Sequence, residues 1–199
     1  MDDFPIETHP FAPVLPPRAR VMMMGTFPPA AAKRCMAFHY PNFQNDMWRI
    51  YGLVFFNDAG HFQVAGEKRF DAGKIRDFLM AHNIALCPTV RRAVRERGNA
   101  SDKFLRIVEP VDLGAVLTQL PDCRWLFTTG GKATETLLSL LEPAPPMPPV
   151  NQAVAFDYHG RHLQLCRLPS SSRAYPLALA AKAAAYRAFF ERSGVLPLS

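Results

Sequence analysis

At 199 residues the chain is long enough for one domain with a sizeable core, and 49% apolar with 20% charged residues is ordinary for a soluble globular protein. No apolar run approaches the roughly 20 residues needed to cross a bilayer, so a membrane protein is not expected. The balance of 23 Lys and Arg against 17 Asp and Glu leaves a net charge of +6, which fits an anionic partner such as nucleic acid without requiring one.

In chain order, residues 1–17 carry five prolines and predict an extended arm against the domain surface. Their acidic start, M-D-D-F-P, does not read as a signal peptide, and a cytoplasmic location is expected. Residues 19–24, ending in V-M-M-M, predict a strand buried on both faces. The turn Gly25-Thr26-Phe27-Pro28-Pro29 is rigid, because each proline fixes its own φ and lacks an amide proton. Asn45 to Phe56 predicts a helix with Asn45 as N-cap, Asp58 to Lys68 a polar loop, and Phe70 to His82 a second amphipathic helix.

Ile84 to Cys87 is a short strand stopped by Pro88. Thr89 to Lys103, with Arg91, Arg92, Arg95, Arg97 and Lys103, is the most basic stretch. A third helix is expected over Val111 to Leu120, a strand over Arg124 to Thr129 before Gly130-Gly131, and a helix over Lys132 to Leu141. E-P-A-P-P-M-P-P-V is a stiff surface linker rather than a domain boundary. Ala153 to Tyr158 and His162 to Leu168 flank His159-Gly160-Arg161 and predict a β-hairpin, and Pro176 to Arg192 closes the chain as an alanine-rich helix. Strands alternating with helices imply an α/β fold: a single domain over residues 1–199, a three-layer α/β/α sandwich with a mostly parallel central sheet and an antiparallel hairpin near the C-terminus.

The cysteines, Cys35, Cys87, Cys123 and Cys166, are scattered singly, and the six histidines show no ligand spacing, so no metal and no cofactor is expected. Neither G-x-x-x-x-G-K-[ST] nor G-x-G-x-x-G is present. Four strands end in unusual turns, G-T-F-P-P, C-P-T, T-T-G-G-K and L-P-S-S-S-R, which a parallel sheet would gather along one rim. Local turn chemistry would account for each one separately.

If gathered, they make a flat pocket for a nucleobase. Gly25, Thr26, Phe27 and Pro28 would form its floor, with Tyr40, Asn42, Phe43 and Asn45 as its wall. Carboxamides offer both donor and acceptor, so Asn42, Gln44 and Asn45 can pair with a base edge, position water or stabilise a departing anion. Ser170, Ser171, Ser172 and Arg173, just before a helix, can hold a phosphate oxygen; Lys132 can contact a backbone phosphate. The bland alternatives are an N-cap for the last helix at the serines, loop hydrogen bonds at the asparagines and tight packing at the glycines. His39 stands next to the pocket, where a hydrogen-bonded structural histidine is the ordinary reading.

These motifs together resemble the uracil-DNA glycosylase superfamily, most of all its hypoxanthine-DNA glycosylase-like branch. The similarity rests on G-T-F-P-P, on Asn45-Asp46-Met47-Trp48-Arg49-Ile50, on R-E-R-G-N-A-S-D, on F-T-T-G-G-K-A and on L-P-S-S-S, and spans roughly residues 20–190. The resemblance implies base-excision DNA repair: hydrolysis of the N-glycosidic bond of a deaminated base (uracil, hypoxanthine or related) flipped out of DNA into the pocket, by a monomer without cofactor. Phe27 stands where many members carry an acid or asparagine that positions water; the hypoxanthine-type branch similarly has phenylalanine there, and Asn45 matches the asparagine implicated instead. The branch's H-P before that asparagine is N-F here, its G-L-W-D stretch corresponds to I-A-L-C-P, and the superfamily's H-P-S is L-P-S. A missing carboxylate implies a slower enzyme. The losses also keep open a DNA-binding protein of glycosylase fold without catalysis, and a hydrolase of a small nucleoside-like ligand.

Overall fold

The structure is a computed structural model that describes residues 4–96 and 102–198. Arg97, and the middle of the R-E-R-G-N-A-S-D motif, lie outside the described residues. The strands are β1 (Ile6–Thr8), β2 (Val21–Met24), β3 (Ile84–Leu86), β4 (Val90–Arg95), β5 (Leu105–Pro110), β6 (Trp125–Thr128), β7 (Ala153–Tyr158) and β8 (Arg161–Arg167). The helices are α1 (Met47–Phe56), α2 (Ala72–Ala81), α3 (Leu113–Thr118), α4 (Gly131–Leu138) and α5 (Leu179–Arg192).

The main sheet has the order β3-β2-β6-β8-β7, parallel except for the β7–β8 hairpin at its edge. Alternation explains its burial on both faces. Val21 and Met23 join Phe127 and the aromatic residues of α1 and α5, including Trp48, Tyr51, Phe189 and Phe190, in one core layer. Met22 and Met24 join Leu126, Leu163 and Leu165 in the other, under Leu113, Leu117 and Leu137 of α3 and α4. V-M-M-M therefore serves two cores at once, and a polar residue at any of its positions would be buried without a partner. The result is a three-layer α/β/α sandwich.

The basic stretch, to which the sequence assigns no element, carries β4 of a second, antiparallel sheet of order β1-β4-β5. A small cluster of Val90, Ala93 and Leu105 packs against Phe27 and Ile107 in this sheet, and Val94 beside Ala93 is buried as well. Register shifts between Val90 and Arg92 and between Arg92 and Ala93 put Arg91 and Arg92 on the surface in succession, where both approach Glu109 at 3.7 Å. The bulge breaks the two-residue period that marks a strand. The N-terminal segment joins the same sheet: β1 pairs with β4, and Val14 bridges to Leu86.

The parallel strands end level, with Met24, Thr128 and Arg167 in register. Their outgoing turns therefore leave from one rim. Among the described residues no helix is long and apolar enough to cross a membrane.

Candidate functional site

At that rim lies a cleft of about 480 Å³. All four turns contribute: Gly25, Thr26, Phe27, Pro28 and Pro29 after β2, Pro88 after β3, Thr129 after β6, and Ser170, Ser171 and Ser172 after β8. Tyr40, Asn42 and Asn45 line it from the segment before α1, and His39 sits beside them. The volume suits a small planar ligand that needs shape and a few convergent polar groups.

The floor is held by close backbone approach. Thr89 donates to the Gly25 carbonyl from its amide at 2.8 Å and from its hydroxyl at 2.9 Å. A Cβ on Gly25 would stand 2.5 Å from the Tyr40 hydroxyl, so glycine is required by contact rather than by φ. Tyr40 itself takes a left-handed φ of 51°, and its hydroxyl shares a 2.7 Å hydrogen bond with the Thr129 hydroxyl. One ring thus ties the turn after β2 to the turn after β6.

The two asparagines are more constrained than the sequence suggests. The Gln44 amide donates to Asn42 Oδ1 at 2.9 Å, and the Met47 amide donates to Asn45 Oδ1 at 2.9 Å. Each carboxamide oxygen is engaged with backbone, and among the described residues neither NH2 group has a partner, so the asparagines present chiefly donors to the cleft. Asn45 is not the N-cap: that position belongs to Asp46, at φ −86° and ψ −3°, and Asn45 reaches the first helical amide from one residue earlier. Asp46 is unavailable to cap because its carboxylate is held elsewhere.

That carboxylate is the centre of a buried ion network. Lys182 on α5 is 1% exposed and places Nζ 3.2 Å from Asp46 Oδ2 and 2.8 Å from the Ser172 carbonyl. Arg173 donates through Nε to Asp46 Oδ1 at 3.3 Å and through Nη1 to Gln44 Oε1 at 3.1 Å. The Asp46 amide donates to the Ser171 carbonyl at 2.9 Å. The serine loop and the Asn45 segment are bound together on the side away from the cleft.

The serines are not the cap of α5, which has Ala178 at its N-cap. The loop is closed by its own turns, in which the Ser172 amide donates to Ser170 Oγ and the Ala174 amide to Ser172 Oγ, both at 3.2 Å. Any anion there would meet hydroxyls and Arg173, because the helix N-terminus begins several residues later.

Of the expected wall residues Phe43 does not line the cleft, and neither do Arg173 and Lys132, which are expected on phosphates rather than in the pocket. Phe43 packs its ring 5.2 Å from Phe70 with the Arg49 guanidinium 4.5 Å above it, so its face is already covered. Arg173 is turned toward Asp46 and Gln44. Lys132, half-buried in the first turn of α4, also lies outside the lining residues.

Other groups enter the site that the sequence did not single out. His9 and Phe11 line the cleft from the N-terminal segment. The His9 ring lies 5.3 Å from Phe27, edge-on, and 5.4 Å from His39. Burial pushes both imidazoles down to a pKa of about 4, helped at His9 by its proximity to His39 and opposed at His39 by its hydrogen bond to Ala12. Both are neutral at physiological pH. Arg95, 8% exposed, donates to Glu7 and to the Pro28 carbonyl and lies over the Phe27 ring, fixing the N-terminal strand to the cleft floor. Nothing local in the sequence announces the Arg95 pairings, which join residues 67 to 88 positions apart.

No Asp or Glu is among the described lining residues. Among the described residues no group of three or more His, Cys, Asp or Glu is arranged to hold a metal ion. The described lining residues supply oriented donors and neutral rings.

No protein-family model and no curated protein matches the chain. Among solved structures, the chain is similar to the solution NMR structure of a candidate uracil DNA glycosylase from Methanosarcina acetivorans, at a TM-score of 0.65 and 20% identity, over 95% of this chain and 99% of that one. The fold is uracil-DNA-glycosylase-like. The shared architecture covers the sandwich that carries the cleft; at this identity it concerns the fold alone.

Proposed function

We propose that the chain is a monofunctional DNA glycosylase of the hypoxanthine-DNA glycosylase-like branch, acting as a single domain and a monomer on a deaminated base flipped out of DNA. The observation that carries this reading is the meeting of four strand-end turns, Tyr40 and two donor-presenting asparagines around one cleft of about 480 Å³ at the rim of a glycosylase-like sheet. Such a slot fits one extruded purine or pyrimidine, with Phe27 or Tyr40 supplying an aromatic wall.

In the reaction the C1′–N bond breaks, its electron pair leaves with the base, and water adds to the oxocarbenium-like C1′ and loses a proton. With no carboxylate among the described lining residues, catalysis acts on the leaving group. The Asn45 NH2 donates to the carbonyl oxygen on which the base's negative charge gathers, and its oxygen is fixed by the Met47 amide. Preorganised donors of this kind lower a barrier by stabilising charge as it develops. On the DNA side, Ser170, Ser171, Ser172, Arg173 and Lys132 contact the phosphate backbone, and exposed Leu177 beyond the serine loop can enter the base stack.

The test is alkali-revealed cleavage of labelled duplex and single-stranded oligonucleotides carrying uracil or hypoxanthine. Excision by the wild type and its loss in Asn45→Ala are expected; full activity in Asn45→Ala removes the catalytic assignment. A glycosylase-fold DNA-binding protein without catalysis is the second reading, favoured by the absence of any carboxylate among the described lining residues. Salt-sensitive DNA binding without excision of any base would establish it.

A further inference from the structure

A base held in this cleft has to be told from its undamaged parent, and Asn42 and Asn45 each have one oxygen lone pair already taken by a backbone amide, so they chiefly donate. The hydroxyls of Tyr40 and Thr129 can each donate or accept, so neither discriminates polarity. His39 differs. Its Nε2 lies 2.8 Å from the Ala12 carbonyl, which only accepts, so Nε2 carries the proton and Nδ1 keeps its lone pair.

Among the described residues Nδ1 has no hydrogen-bond partner. His39 is 3% exposed, yet among the described residues the sealed side-chain nitrogen or oxygen atoms without a partner come down to Arg161 Nε, so His39 Nδ1 is not sealed. His39 is itself one of the residues that line the cleft. The ring is held in place: Trp48 Nε1 donates to the His39 carbonyl at 3.0 Å, and Phe38 and Phe11 lie edge-on to the imidazole at 5.1 and 5.6 Å. The depressed pKa keeps Nδ1 an acceptor throughout the neutral range.

We propose that His39 Nδ1 accepts the ring N–H of a lactam-edged base in the cleft while an asparagine NH2 donates to the adjoining carbonyl, making His39 a specificity-determining residue. Uracil and hypoxanthine present N–H beside C=O. Their parents, cytosine and adenine, present a ring lone pair beside an amino group, the opposite polarity. Against His39 Nδ1 the parent base sets lone pair against lone pair, and against the asparagine it sets donor against donor. The device separates a deaminated base from its amino parent; it does not separate purine from pyrimidine. The proposal rests on the glycosylase reading for the natural source of the base, and its chemistry concerns the base edge alone.

The experiment follows the histidine ring nitrogens of the intact 15N-labelled protein by NMR while free hypoxanthine, uracil, 1-methylhypoxanthine and 3-methyluracil are added in turn. The expected result is that His39 Nδ1 moves from its free-acceptor position toward that of a hydrogen-bonded nitrogen with hypoxanthine or uracil, and not with the N-methylated bases. No movement, or equal movement with the methylated bases, overturns the proposal. Which of the two bases acts more strongly separates purine from pyrimidine.

In DNA, His39→Gln can donate to Ala12 and keep an acceptor oxygen, so its preference for a deaminated base over the parent should persist; in His39→Leu it should fall about tenfold. Equal preference in the two variants also overturns the proposal. Excision of a deaminated base without the ring shift sinks the role of His39 and leaves the glycosylase reading standing. The ring shift without excision keeps the lactam pocket and removes the glycosylase.

Discussion

Lys182 and Asp46 meet across 136 positions of sequence, with Nζ 3.2 Å from Oδ2 and side chains only 1% and 10% exposed. The pair joins the last helix to the residue beside Asn45, and its lysine also holds the Ser172 carbonyl. Breaking a buried pair by removing one member is far costlier than replacing both, because a charge is left unpaired away from water. Lys182→Met should therefore destabilise the fold by about 3 kcal/mol, at the low end of the usual cost since Arg173 still faces Asp46. Asp46→Leu combined with Lys182→Met should recover part of the loss. Denaturant unfolding of the two single variants and the double variant measures both; a double variant no more stable than Lys182→Met would show that the pair contributes more than the avoidance of a bare charge.

A second expectation concerns the cleft floor. Gly25→Ala would put its methyl 2.5 Å from the Tyr40 hydroxyl and 3.1 Å from Cζ, so the ring must move and the Tyr40–Thr129 hydrogen bond must break. Overpacking of this kind costs about 1–3 kcal/mol. Tyr40→Phe, which loses the hydrogen bond alone, should cost about 1 kcal/mol. Because truncating the hydroxyl also relieves the closest contact, the two substitutions should cost less together than the sum of their separate effects. Strict additivity in a double-mutant cycle would contradict the geometry.

The buried imidazoles give a pH signature. His9 and His39 are depressed to about 4 in the folded chain against an ordinary value of 6.5. Between those values the unfolded chain binds protons that the folded chain does not. Stability is thus fully present above pH 6.5 and is lost as pH falls from 6.5 toward 4. Urea midpoints should decline over that window in the wild type and less steeply in His9→Phe. An unchanged slope in that variant would mean that His9 is not desolvated as the structure has it.

The parallel rim was legible in the sequence because each strand end carries its own turn: Gly25 to Pro29, Pro88, Gly130-Gly131 and Pro169 to Arg173 punctuate apolar runs that admit no other element. The second sheet was not, since β4 interrupts its alternation with a bulge that leaves Arg91 and Arg92 exposed in succession. Within the cleft, Tyr40, Asn42 and Asn45 could be placed because they follow the first turn closely. His9 could not, because only tertiary pairing of β1 with β4 brings it there. Phe43 misled for a physical reason: an aromatic next to a pocket residue is as easily drawn into the core, and Phe70 with Arg49 claims it.

The N-terminal segment supplies the last expectation. Arg95 Nε donates to Glu7 Oε1 at 2.9 Å and Nη2 to Oε2 at 3.3 Å, while the same guanidinium also reaches the Pro28 carbonyl and covers Phe27. One arginine, nearly enclosed, thus connects β1 to the turn that floors the cleft. Glu7→Ala leaves that guanidinium with the Pro28 carbonyl but no counter-charge, and loss of charge-assisted bonds at a one-third-exposed partner should cost about 1–2 kcal/mol. The larger consequence is local: β1 loosens from β4, and His9 and Phe11, two residues of the cleft wall, loosen with it. Limited proteolysis should then cut residues 4–14 faster in Glu7→Ala than in the wild type while the main sheet stays protected, and base excision should fall in parallel. Removal of residues 1–12 should abolish excision while the truncated chain still melts cooperatively. Full excision by that truncated chain would show that the wall contributed by His9 and Phe11 is dispensable.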